Sequence, residues 1–186
     1  MESITTPTPS KVALKWALIG VLASIVLTYV YQFLNIDANS PVKYVNYLFF
    51  ILFLILSQKE FRDQLGGFVT FGQAFVEGLL FSVFYGIMVA IFTYIYFSFL
   101  SPSVWEQALA ASQQKLEAGG NLSAEQIESA MNITRKYGVI IATVGIIIGT
   151  PIMGAIVALI GAAIFKKERS LFDMEQSDNN YTDPAV

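Results

Sequence analysis

Neither cysteine nor histidine occurs anywhere in the 186 residues. Without cysteine there are no disulfides or thiol nucleophiles, and without histidine there is no imidazole base; the usual zinc and haem ligands are gone with them. Charge is also scarce, with 13% of residues Asp, Glu, Lys or Arg, against about 25% in ordinary soluble domains. No basic run or stacked aromatic platform is present, so nucleic acid is not an expected partner. GxSxG, HExxH, the P-loop pattern and paired aspartates inside apolar segments are all missing. No enzyme activity, cofactor or metal site is therefore expected.

What is abundant is hydrocarbon. Apolar residues make up 55% of the chain, and they come in blocks rather than at a period of two or 3.6. Blocks of about 18 or more can cross a bilayer as helices. The expected fold is all-α: an integral membrane bundle of four transmembrane helices, with two short extracytoplasmic helices between spans three and four. The lipid bilayer is then the main partner.

Along the chain, residues 1–11 read as a disordered lead, 12–166 as the four-helix domain and 167–186 as a disordered tail. The spans fall at about 12–34, 41–58, 71–100 and 138–165. The first apolar stretch exceeds the roughly 7 to 15 residues of a signal-peptide core, which favours a span. The second, "YVNYLFFILFLILS", is short and must recruit its flanks. In "QKEFRDQLGGFVTFG", Phe61, Leu65, Phe68 and Phe71 form a stripe suited to a helix in the interface plane, ended by Gly66 and Gly67. The polar insertion 101–137 reads as two helices divided at Gly119 and Gly120. Ser123 with Gln126, and Ser103 with Glu106, have the spacing of capping boxes. Pro151 is expected to kink the last span.

Four spans put both termini and the 58–70 loop on one side, with Lys11, Lys15, Lys59, Arg62, Lys166, Lys167 and Arg169. The other side has Lys43, Lys115, Arg135 and Lys136. The basic excess predicts both termini cytoplasmic, in a bacterial inner membrane, with the 101–137 helices outside.

Several stretches carry a resemblance to a known family: "KVALKWALIGVLASIV", "KEFRDQLGGFVTFGQAF", "YIYFSFLSPSVWEQ" and the closing "AAIFKK", with "GG" before "FGQAF" the most specific. The chain resembles domain-of-unknown-function family 4199, small bacterial membrane proteins common in Bacteroidetes. The resemblance covers nearly the whole chain and implies a four-helix membrane protein. It implies no catalytic residues.

The residue that most invites a functional reading is Glu77, a carboxylate six residues into the third span, roughly 9 Å from its start. Lys15 enters the first span from the same side and Gln73 lies one turn before Glu77, so a Lys15–Glu77 pair is expected, the alternative being a structural carboxylate that reaches back to interfacial water beside Gln73. Gly66 and Gly67 with Phe71, Gly72 and Gln73 suggest a hinge more than an anion site, because no GxGxxG is present. Gly145, Gly149, Gly154 and Ala158 form a small-residue face in the last span, expected to pack within the bundle, with self-association as the alternative. Thr143 and Thr150 beside Pro151 are expected to bond their own helix, with a polar cavity lined by them and the kink as the alternative. In the outer pair, Trp105, Leu109, Leu116, Ile127 and Met131 make an amphipathic stripe for the membrane surface or a protein partner. The leading functional expectation is a non-enzymatic accessory or scaffold protein. The alternative is a small transporter or ion-conducting oligomer using Glu77, Lys15, Asn46 and Thr150.

Overall fold

Pro9 stands at the first position of the first helix, where its missing N–H is no loss, and the helix then runs without a breaker to Phe33. In the computed structural model, which describes residues 7–36 and 40–168, five α-helices follow from such local rules. They are α1 Pro9–Phe33, α2 Val45–Gln64, α3 Phe71–Ile95, α4 Pro102–Gly119 and α5 Ala124–Phe165. A 3₁₀ turn at Pro41–Tyr44 leads into α2, and a π-helical turn at Tyr96–Leu100 prolongs α3. No strand forms among the described residues; one isolated antiparallel bridge joins Val69 to Lys167.

Three helical stretches are long and apolar enough to cross a membrane: Pro9–Phe33, Phe71–Leu100 and Ala124–Phe165. Their outward side chains are oily. Leu22, Val26, Ile91, Ile148, Ile156 and Ile164 are all more than half exposed, a surface that water tolerates poorly and lipid requires. Inside, α3 packs against α1, α2 and α5. The core there is Ala13, Ala17, Val21, Phe50, Leu54, Phe81, Tyr85 and Ala158. Small residues bring the backbones together, which matters where no hydrophobic effect drives association. A Cβ on Gly20 would stand 3.2 Å from the Tyr85 ring.

Polar bonds fix the register of α1 on its neighbours. Ser24 and Tyr85 hydroxyls lie 2.7 Å apart, and the Tyr96 hydroxyl donates to Gln32 Oε1 at 3.2 Å. At the other end, Val12, Phe61, Val69, Ala74 and Ala162 form a second core. The start of α1, the end of α2, the start of α3 and the end of α5 therefore meet at one end of the bundle.

Several boundaries differ from the sequence expectation. Residues 9–11 belong to α1 instead of a disordered lead; residues 1–6 lie outside the described residues. The stretch 58–64 is the end of α2 and no separate interfacial helix, because Phe61, at 2% exposure, turns into the bundle. That helix stops where expected: Gly66 and Gly67 have φ of 77° and 86°, and their N–H groups bond Asp63 and Arg62 carbonyls at 3.1 and 3.0 Å.

The second outer helix and the last span are one helix, α5, of 42 residues, roughly 63 Å long at 1.5 Å per residue. No glycine or proline interrupts it between Ser123 and Gly138, and it runs on through Pro151 to Phe165. Ser123 and Gln126 form the expected capping box, but α4 starts at Pro102 after Ser101, so Ser103 is not a cap. Thr70 and Gln73 form a capping box at α3. Of the tail expected over 167–186, Lys167 is paired with Val69, and 169–186 lie outside the described residues.

Candidate functional site

Two adjacent polar residues, Ser57 and Gln58, follow the apolar run of α2, and both are fully buried. Consecutive helical positions point about 100° apart, so the pair reaches two different neighbours. Ser57 Oγ donates to Glu77 Oε1 on α3. Gln58 Nε2 donates to two backbone carbonyls, Ala74 on α3 at 2.9 Å and Ala158 on α5 at 3.0 Å. The amide thus pins three helices at one point.

The fit around Gln58 depends on glycine. A Cβ on Gly78 would lie 2.8 Å from Gln58 Nε2, and one on Gly161 would collide with Oε1 and stand 2.9 Å from Cδ. Two turns before Gly161, Gly154 admits Ser82: a Cβ there would lie 2.5 Å from the Ser82 hydroxyl, which donates to Leu79 O at 2.8 Å. Glu77 and Ser82 are also fully buried. Glu77 Oε2 and Gln58 Oε1 have no hydrogen-bond partner among the described residues. A buried group with spare acceptor capacity is uncommon, and here two occur on the neighbouring helices α2 and α3.

The expected Lys15–Glu77 contact does not form. Lys15 pairs with Glu60 instead, a carboxylate that also accepts from Trp16 Nε1 at 2.7 Å and Gln64 Nε2 at 2.7 Å. The reason is the way α2 presents its polar residues. α2 continues past residue 58 and brings Glu60 to the rim beside Lys15, while Glu77 faces inward to Ser57. The Lys15 ammonium holds the Glu60 carboxyl below the ordinary carboxylate range, partial burial opposes this, and the Trp16 bond adds to the lowering. Gln73 does not reach Glu77; its side chain accepts from the Thr70 N–H at 3.0 Å.

The small-residue face divides. Gly154 and Ala158 pack inside the bundle as expected, but Gly145 and Gly149 do not: a Cβ on either would meet nothing within 4 Å. They border an open cleft of about 450 Å³ with Asn46, Phe50, Tyr85 and Thr150. Thr143 bonds its own helix at Val139 O, 2.8 Å. Ser57, Gln58, Glu60 and Gly161 were not singled out from sequence. Their signal was a polar pair closing an apolar run and a glycine three residues after Ala158.

Outside the apolar segments, α4 folds back on the first part of α5. Leu109, Ile127 and Met131 are buried between them with Trp105 and Leu116 alongside. Gly138 lets Trp105 lie against α5, since a Cβ there would be 2.5 Å from the indole. The hairpin carries a shallow polar depression of about 570 Å³ bordered by Gln113, Glu117, Glu128, Asn132 and Arg135. Among the described residues no group of three or more acidic side chains could hold a metal ion.

An all-α bundle with three helices of membrane-crossing length, an oily exterior and a sealed polar centre defines a helical membrane protein. A family model described as "Protein of unknown function (DUF4199)" matches residues 15–167, and the chain belongs to that family. No curated protein and no solved structure matches it.

Proposed function

We propose that this is a four-span inner-membrane protein with a non-enzymatic accessory or scaffold role, holding the α4–α5 hairpin at a fixed height above the periplasmic face of the membrane. The observation that carries the reading is α5: one 42-residue helix belongs both to the apolar bundle and to the hairpin. The bilayer's hydrocarbon takes roughly 30 Å of its length, leaving the polar half to stand clear with α4 packed on it. A buried centre with a carboxyl, a hydroxyl and an amide supports a structural use of Glu77, which is fully buried and accepts from Ser57 inside the bundle.

The fourth crossing is α2. Its 45–57 stretch is apolar, it packs against α1, α3 and α5, and Leu48 and Leu52 face outward. The sidedness rests on the basic excess at the end where α1 begins and α5 finishes. Reporter fusions after residue 168 and at Gly119–Gly120 test it: cytoplasmic and periplasmic signals respectively are expected, and both on one side would refute it. Crosslinking from Glu128 or Asn132, followed by identification of the captured chain, tests the scaffold role. Flux through proteoliposomes that Glu77→Gln abolishes would replace it with transport.

A further inference from the structure

We propose that the rim formed by Arg62, Lys166 and Lys167 binds the headgroup of an anionic phospholipid. Lys167 does not dangle from the helix end. Its backbone N–H and C=O both bond Val69, at 2.9 Å each, so it is held beside the entry to α3. Its ammonium lies 5.1 Å from the centre of the Phe68 ring, and the Arg62 guanidinium lies 5.3 Å from that of Phe165. Each cation therefore rides on a half-buried aromatic ring, the pairing that places hydrocarbon against acyl chains and charge at headgroup level.

Among the described residues the charge balance at this end favours an anion. Lys11 and Lys59 join the three rim cations, and all four lysines of this set are exposed. Among the described residues three carboxylates stand near them. Glu60 is taken by Lys15, Trp16 and Gln64, and Asp63 accepts from Arg62 Nη2 at 2.8 Å. Glu168, exposed next to Lys167, is the third. The described ion pairs leave Lys11, Lys59, Lys166 and Lys167 without a carboxylate partner. A lipid, rather than free phosphate, is the ligand because the rings beside the cations offer an apolar surface that inorganic phosphate does not use. The inference rests on this end lying at a membrane surface, and it is independent of which leaflet that is.

The test uses the full chain purified in a neutral detergent. Native mass spectrometry and thermal unfolding are recorded with phosphatidylglycerol, phosphatidylcholine or inorganic phosphate added. Phosphatidylglycerol is expected to bind and stabilise, with affinity falling about fivefold for each lysine removed in Lys166→Gln and Lys167→Gln, the scale for one basic residue near an anionic surface. The backbone bonds of Lys167 to Val69, and of the Lys166 N–H to the Ala162 carbonyl, survive these changes. Lys136→Gln, at the other end of the bundle, is expected to leave binding unchanged. Equal binding of phosphatidylcholine, undiminished binding by the double variant, or an equal effect of inorganic phosphate would each overturn the proposal. The reporter fusions read sidedness separately, so the two ideas fail on different measurements.

Discussion

Gln58 and Gly161 occupy one another's space: the amide oxygen of the first stands where a side chain on the second would begin. The amide crosses from α2 to α5 only because residue 161 has no Cβ, and it meets the Ala158 carbonyl one turn earlier. Gly78 makes the same allowance on α3. The three-helix junction is therefore a match between one long polar side chain and two glycines.

Gly161→Ala is expected to lower stability by about 1–3 kcal/mol, the usual cost of forcing a methyl into a packed site. Gly154→Ala should behave alike, since its Cβ would overlap Ser82. Gly145→Ala and Gly149→Ala meet open space and should be neutral or slightly stabilising. Thermal unfolding of the four variants in detergent separates the groups.

Glu77→Gln keeps the shape and an acceptor for Ser57, and should change stability by less than about 1 kcal/mol. Glu77→Ala removes the volume as well and should cost about 2–4 kcal/mol, in the range of buried truncations. Equal loss from both variants would mean the carboxyl group itself is required.

Lys15→Glu should be rescued by Glu60→Lys and not by Glu77→Lys. The coupling is expected to be no more than about 1 kcal/mol, because the two side chains are 50% and 25% exposed and solvent screens such pairs. A double-mutant cycle measures it.

The same pair sets a pH dependence. The folded Glu60 carboxyl titrates below its ordinary value of 4.5. Its contribution is complete above that value, where the unfolded chain is also ionised, and disappears as pH falls through the lower folded value. The melting temperature should thus drop on acidification below about 4.5, and Glu60→Gln should flatten that part of the curve.

Trp105→Ala should loosen the hairpin without expelling the protein from the membrane. Limited proteolysis ought to cut between residues 101 and 123 faster in the variant, while membrane fractionation stays the same. The indole covers Gly138 and flanks the Leu109–Ile127–Met131 core, so its removal leaves a cavity.

The apolar blocks disclosed α1, α3 and the end of α5 to within a few residues, because membrane helices are selected by length and oiliness, both readable locally. The junction between the second outer helix and the last span was hidden because polar and apolar stretches can share one helix without any break in hydrogen bonding. Glu77 was conspicuous as a charge in an oily run, but its partner was not. Pairing it with Lys15 used depth alone, and depth says nothing about which way α2 turns Ser57 and Glu60. The Gly145–Gly149 spacing is the same as that of Gly154 and Ala158 beyond Pro151, and a sequence does not disclose which side of a helix has a neighbour.

Because α5 is unbroken, it acts mechanically as a lever with its fulcrum at the waterline. Between Ser123 and Gly138 no glycine or proline offers a joint, so a roll or tilt of the greasy stretch next to the polar arm would swing the arm with it. Thickening or thinning the surrounding lipid sheet would then be felt at the far tip of the molecule.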